Sequence, residues 1–175
     1  MFPFIAALSQ AGGIIVDKIV LTRRQVSLHI FVPILFLFLF LTTIILYPFL
    51  GKISVDFFEI RYLILFLAMI VIAIIWNVFY YRGAQAEKIH EFELIVMFQP
   101  ILTILLATIF LQGERNLSLG IASMVAALAL IAARINKNHL EFSSSSLGLV
   151  LAVILMSVEL IIIDSLLNVL SPVAL

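Results

Sequence analysis

The sequence predicts an all-α fold, a polytopic bundle of six membrane-spanning helices made of one five-helix repeat plus the first helix of an inverted second repeat. Composition is the first reason. Of 175 residues 65% are hydrophobic and 11% charged, against roughly a half and a quarter in soluble domains. Too little charge remains to clothe a water-facing surface, so most of the surface must meet something as apolar as the interior. The second reason is periodicity. Runs such as 31–40 and 63–75 are apolar throughout. A β-barrel strand would alternate, and unbroken apolar runs of this length satisfy their backbone in lipid only as helices. The third is an acid, Asp17, that recurs as Asp164 in a corresponding apolar setting.

A helix needs about 20 apolar residues to cross roughly 30 Å of hydrocarbon. The first predicted span, 3–22, is interrupted by Asp17 and Lys18. The second, 29–50, and the third, 62–81, hold no formal charge. The fourth, 93–112, contains Gln99 and Pro100, and the Pro should kink it by removing a backbone donor and freeing a carbonyl. The fifth, 116–133, is rich in small residues (Ala122, Ala126, Ala129, Ala133) suited to close helix packing. The sixth, 147–170, carries Glu159 and Asp164. The first apolar run begins at Phe2 with no basic region before it, which argues against a cleaved signal peptide.

The connections are short and hold most of the charge. The last ends in Ser143–Ser146, a composition expected of a flexible joint, so a boundary is placed at 143–146 between the first unit, 1–142, and the second, 147–175. With all six helices spanning, Lys18, Arg23, Arg24, Arg82, Lys88, Arg134 and Lys137 fall on one side and Lys52, Arg61 and Arg115 on the other. That bias alone places the amino terminus outside.

Several classes are excluded. There are no cysteines, hence no disulfide framework or thiolate metal site. Lys plus Arg balance Asp plus Glu, so nothing points to nucleic acid. His29, His90 and His139 lie at predicted membrane borders without metal-ligand spacing, and no phosphate loop, nucleophile elbow or dinucleotide fingerprint occurs. No cofactor or metal is expected. An intramembrane enzyme finds no catalytic pairing, and the lipid bilayer is the one partner the composition demands.

The sixth helix resembles the first. At an offset of 147 residues, Leu8, Ile14, Ile15, Asp17 and Leu28 recur as Leu155, Ile161, Ile162, Asp164 and Leu175. Gln10 falls on Ser157 and Arg24 on Ser171, so each helix shows a polar stripe on an apolar cylinder. Five helices separate the two starting points, and an odd number inverts the second copy, a recurrent plan of secondary transporters.

The stretch 80–133 resembles the EamA-type family of the drug/metabolite transporter superfamily. The residues that carry the resemblance are Gly83-Ala84 with Ala86, then Phe98-Gln99-Pro100-Ile101-Leu102, then Gly113-Glu114 and Gly120. Leu170-Ser171-Pro172 is similar to the opening of the family's second repeat. The resemblance implies about ten helices in two inverted halves, alternating access, a small organic metabolite as solute, an amino terminus in the cytoplasm (preferred here to the charge count) and, in a prokaryote, the plasma (inner) membrane. The sequence then reads as cut after the first helix of the second repeat. Another copy or the missing half would complete the solute path.

Within that frame the pathway candidates are Asp17, Asp164, Glu159, Gln10, Ser157, Asn77, Gln99, Trp76 and Tyr80. A carboxylate deep in hydrocarbon costs a few kcal/mol and ordinarily faces a cavity, a partner or a proton. The competing view puts Asp17 and Asp164 at helix ends, among headgroups. Coupling to protons or cations is expected through Asp17 or Asp164. Glu159 and Asp164 are five positions apart, about 140° around a helix, so they cannot share a face. Trp76, Tyr80 and Tyr81 read chiefly as an interfacial aromatic belt, with stacking of Trp76 and Tyr80 on a solute as the alternative. Asn77 differs, since a buried amide requires a partner. Gln99 either lines a cavity with Thr103 or bonds a neighbouring helix. Pro100, Gly113, Glu114 and Gly120 are assigned structural roles, Glu114 by its favourable place near a helix amino terminus. The expected function is secondary transport of a small organic metabolite, with a non-transporting membrane subunit or inactive remnant as the alternative.

Overall fold

The computed structural model describes residues 12–13, 15–17, 19–21, 27–87, 89–111, 117–135 and 144–175. These form helices joined by short turns: α1 (Leu28–Leu50), a 3-10 turn (Val55–Phe58), α2 (Ile60–Ala86), α3 (Ile89–Val96), α4 (Phe98–Phe110), α5 (Leu117–Ile135) and α6 (Ser144–Leu166). The described residues between Gly12 and Leu21 are helical too. Among the described residues no strand is present beyond one isolated bridge, Ile53 with Leu170.

Four stretches are long and apolar enough to cross a membrane: Leu28–Leu50, Ile60–Ala86, Glu91–Phe110 and Ser146–Leu166. Composition and architecture together fit a helical membrane protein. The apolar part of α5 described here, Gly120–Ala129, is shorter, and most of the first expected span lies outside the described residues, as do Gln10, Gly113 and Glu114.

Packing centres on α6. It lies antiparallel to α2, with Ser146 against Glu87 at one end and Lys52 against Ser171 beyond the other. It also packs on α3 and α4, and α4 packs on α5. Small residues allow the approach. A methyl group built on Gly83 would stand 3.0–3.3 Å from the side chain of Leu149, and one on Gly148 3.2 Å from the ring of Phe79. Without a hydrophobic drive between helices in lipid, such close backbones supply the van der Waals contact that holds them together. The core comprises Leu21, Tyr80, Tyr81, Ala84, Phe92, Ile95, Leu149, Ala152 and Val153. No residue of α1 is buried. That helix touches the core near its start, through Leu28, Phe31 and Val32, and presents a long Phe- and Leu-rich surface elsewhere.

The structure corrects three expectations about helix limits. The fourth expected helix, 93–112, is two helices, α3 and α4, separated by a turn at Met97. The reason is Pro100. It lacks the N–H that would bond the carbonyl of Val96, and its ring crowds that carbonyl, so the ladder fails one turn before the Pro. The Met97 N–H still reaches the Glu93 carbonyl at 2.9 Å, which keeps the two pieces nearly continuous. The expected serine joint is not a joint along most of its length. Ser144, Ser145 and Ser146 are the first residues of α6. The Ser146 hydroxyl donates to Oε1 of Glu87 at 2.9 Å in a buried contact that ties the start of α6 to the end of α2.

At its other end α6 stops at Leu166, earlier than the expected 170, and the chain turns back along the α1–α2 connection. The Ser54 N–H donates to the Val169 carbonyl at 2.8 Å, the Ser171 N–H to the Lys52 carbonyl at 2.9 Å, and the Lys52 N–H to Ser171 Oγ at 2.9 Å. This clasp fixes the end of α6 against the connection between α1 and α2.

Candidate functional site

The polar residues of α2, α4 and α6 converge on the seam where these helices meet. Trp76 sits half-buried on α2, and its indole Nε1 donates a hydrogen bond to the carboxylate of Glu159 on α6. Glu159 is thereby turned into the bundle. Asp164, about 140° further round the same helix, is exposed.

One turn along α2 from Trp76 lies Tyr80, 7% exposed. Its ring meets Trp76 edge to face at 5.9 Å between centroids, and Tyr81 and Phe92 at 5.2 Å each. Tyr81 in turn meets Phe31 of α1 at 5.4 Å. All these pairs are edge to face, with interplanar angles of 67–89°, an arrangement favoured by the ring quadrupole. Tyr80 and Tyr81 are therefore buried inside the bundle and do not form a headgroup-facing belt.

Asp17 is half-buried in a groove of about 370 Å³ between its own helical stretch and α1. Phe31, Ile34, Leu35, Phe38, Leu39 and Thr42 line the groove with it. Asp17 shares this groove with Phe31, whose ring meets Tyr81. The two inward carboxylates, Asp17 and Glu159, thus flank one continuous set of aromatic rings.

Ser157, fully buried on α6, directs its hydroxyl at the Val153 carbonyl of its own helix (2.9 Å) and the Gln99 carbonyl of α4 (3.2 Å). The same Gln99 carbonyl accepts from the Thr103 hydroxyl at 2.9 Å. It is therefore the backbone of Gln99, one residue before Pro100, that bonds across to the neighbouring helix. Asn77, 6% exposed, satisfies its amide within α2 by donating to the Ala73 carbonyl at 2.8 Å. Gly120 is buried on α5 beside Thr108 of α4, where a methyl group would stand 3.5 Å from the threonine methyl.

The structure brings together Trp76, Tyr80 and Glu159, with Ser157 and Gln99 bracing the neighbouring kink. It leaves Asp164 on an outer face and Asn77 engaged with its own backbone. Phe92 and Tyr81 belong to the aromatic set and were not picked out as candidates. Their signal in the sequence was the recurrence of rings at 76, 80, 81 and 92 on segments that also carry polar residues. Among the described residues no group of His, Asp and Glu has the arrangement of a metal site.

The fold and site define a class: an all-helical chain with membrane-length apolar helices and a carboxylate held against aromatic rings between them. No family model, curated protein or solved structure matches the chain.

Proposed function

We propose that this chain is a secondary transporter of the EamA type, which moves a small organic metabolite across a membrane by alternating access. The observation that carries the reading is Glu159. It sits on an apolar helix of membrane length, faces inward, and meets the indole of Trp76 on the helix packed against it. An ionisable group in such a place is costly, and the usual reasons for its presence are a solute or ion path or a proton relay. The recurrence of the Asp17 segment at Asp164, read with the inversion that six spanning helices would impose, supports the same reading.

The geometry suggests how such a protein works. The seam of α2 and α6 holds the solute near the middle of the bundle, with Glu159 and Trp76 as its polar contacts. The break at Met97 lets α3 and α4 tilt relative to one another, and Ser157 couples that tilt to α6 through the Gln99 carbonyl. Helix breaks that line a cavity are a recurrent feature of alternating-access proteins. Coupling to protons or cations falls first to Glu159 and then to Asp17, the two carboxylates turned inward.

The test is flux. Purified protein in proteoliposomes should carry at least one of amino acids, amines or nucleosides faster than empty vesicles, and Glu159→Gln should slow it. Rates equal to those of empty vesicles for every class, with proton gradients of either sign, contradict the proposal.

A further inference from the structure

We infer that the 3-10 turn between α1 and α2 lies in the membrane interface, with Val55 and Phe58 pressed into the boundary between acyl chains and headgroups. Its partner is the lipid surface itself, and the inference stands whether or not the chain carries a solute.

The residues of the turn divide by position. A 3-10 helix has three residues per turn, so positions three apart eclipse and the surface forms three ridges. Phe57 occupies one ridge. Its ring meets Phe66 of α2 edge to face at 5.5 Å, which turns that ridge to the protein. Val55 and Phe58 share the second ridge and are 84% and 68% exposed. Asp56 lies on the third and is exposed. The Ser54 hydroxyl caps the turn there, donating to Asp56 Oδ2 at 3.1 Å and accepting from the Asp56 N–H at 3.3 Å. The two ridges that the protein leaves uncovered are therefore one apolar and one acidic. An element lying along a lipid surface is divided in this way, with its apolar side in the acyl boundary and its charged side in water.

The ridges are held in place. The Ser54 N–H bonds the Val169 carbonyl at 2.8 Å, and Lys52 exchanges bonds with Ser171, so the clasp to the end of α6 anchors the approach to the turn. The Glu59 N–H closes the other end on the Asp56 carbonyl at 3.0 Å. With Phe57 seated on Phe66, the turn cannot roll its apolar ridge away from the side it now faces.

The adjoining helices set the depth. α1 is apolar up to Leu50 and α2 from Tyr62, and Lys52 and Arg61 are the first cations met on leaving them. Cations at the ends of membrane helices reach for the headgroups, and tyrosines such as Tyr47 and Tyr62 favour the same layer. The Arg61 guanidinium lies 5.8 Å from the centre of the Tyr62 ring, which places both groups at one level. The edge of the hydrocarbon thus falls at the turn. Phe49, Leu50 and Ile60 are exposed on either side of it, so the ridge of Val55 and Phe58 continues the lipid-facing surface of the two helices. A turn standing clear in water would keep this ridge hydrated beside a surface that buries it favourably.

The chain has no cysteine, so single cysteines report single positions. Val55→Cys, Phe58→Cys, Asp56→Cys and Glu59→Cys are each labelled with nitrobenzoxadiazole in phosphatidylcholine nanodiscs, with Phe38→Cys, exposed midway along α1, as the deep reference. Emission is quenched by iodide from the water, by a lipid nitroxide near the headgroup end of the acyl chain, or by one near the chain tip. The ratio of shallow-lipid to iodide quenching should be at least about threefold higher at 55 and 58 than at 56 and 59, and the chain-tip nitroxide should act best at 38. Equal ratios at the four turn positions overturn the inference. So does shielding of 55 and 58 from lipid and iodide alike, which would mean that a second copy or another segment covers the ridge. Val55 against Glu59 decides the matter if either of the other two variants fails to fold. Failure here leaves the transport reading standing, and absence of flux leaves this inference standing.

Discussion

The indole of Trp76 and the carboxylate of Glu159, 83 positions apart in the chain, meet as donor and acceptor across the α2–α6 seam. The pair places an acid inside a bundle of apolar helices and gives it one neutral partner. Trp76→Phe keeps a ring but removes the N–H. It should lower stability by about 1 kcal/mol, the typical worth of a hydrogen bond between membrane helices, and reduce solute flux. Glu159→Gln keeps an acceptor and removes a buried charge, so it should be at least as stable as wild type while losing flux. Heating followed by size-exclusion chromatography ranks the two, and a less stable Glu159→Gln contradicts the assignment.

The approach of α2 to α6 depends on Gly83. A methyl group there meets Leu149 at 3.0–3.3 Å, so Gly83→Val should destabilise by about 1–3 kcal/mol through overpacking. Leu149→Ala opens the facing space, and the double variant should recover part of the loss. A double variant that is merely the sum of the two single losses argues that the helices are not in contact at this point.

Pro100 breaks the ladder at Met97. Pro100→Ala restores a donor to the Val96 carbonyl and should leave the fold as stable or more so. If tilting of α3 against α4 is part of the transport cycle, flux should fall about tenfold despite the gain in stability. Unchanged flux would assign the break to packing alone.

Ser157 links α6 to α4 through the Gln99 carbonyl. Ser157→Ala should cost only about 0.6 kcal/mol, because the Thr103 hydroxyl still serves that carbonyl. Ser157→Leu, in a position with no exposure, should be far worse through overpacking. Comparing melting temperatures of the two separates a bonding role from a steric one.

The helices were legible in the sequence because membrane length leaves its mark as uninterrupted apolar runs, and 29–50 and 62–81 fall within α1 and α2. Which way each helix faces was much less legible. A helix that is apolar all round, as α1 and α2 largely are, has no amphipathic stripe to orient it, since lipid and protein interior are alike apolar. Hence Tyr80 and Tyr81 resembled a belt and proved to be core. On α6 the spacing of Glu159 and Asp164 required that they face apart, but which one faces inward depended on Trp76 across the seam. The serine run misled because composition alone suggested a joint. Ser146 sits in the first turn of α6 with its hydroxyl bonded to Glu87, 59 positions away. The kink at Pro100 was foreseen because proline's missing donor acts locally, and the break falls at Met97, next to the Val96 carbonyl that Pro100 leaves without its donor.

The central claim is that Glu159 is the working carboxylate of a solute path. It is tested most directly by solute flux in proteoliposomes, wild type beside Glu159→Gln, at equal reconstituted protein. The account predicts flux above that of empty vesicles for the wild type and its loss in Glu159→Gln, with the variant still folded. Wild-type flux that Glu159→Gln leaves intact, or no flux of any solute class from a folded wild type, would contradict it.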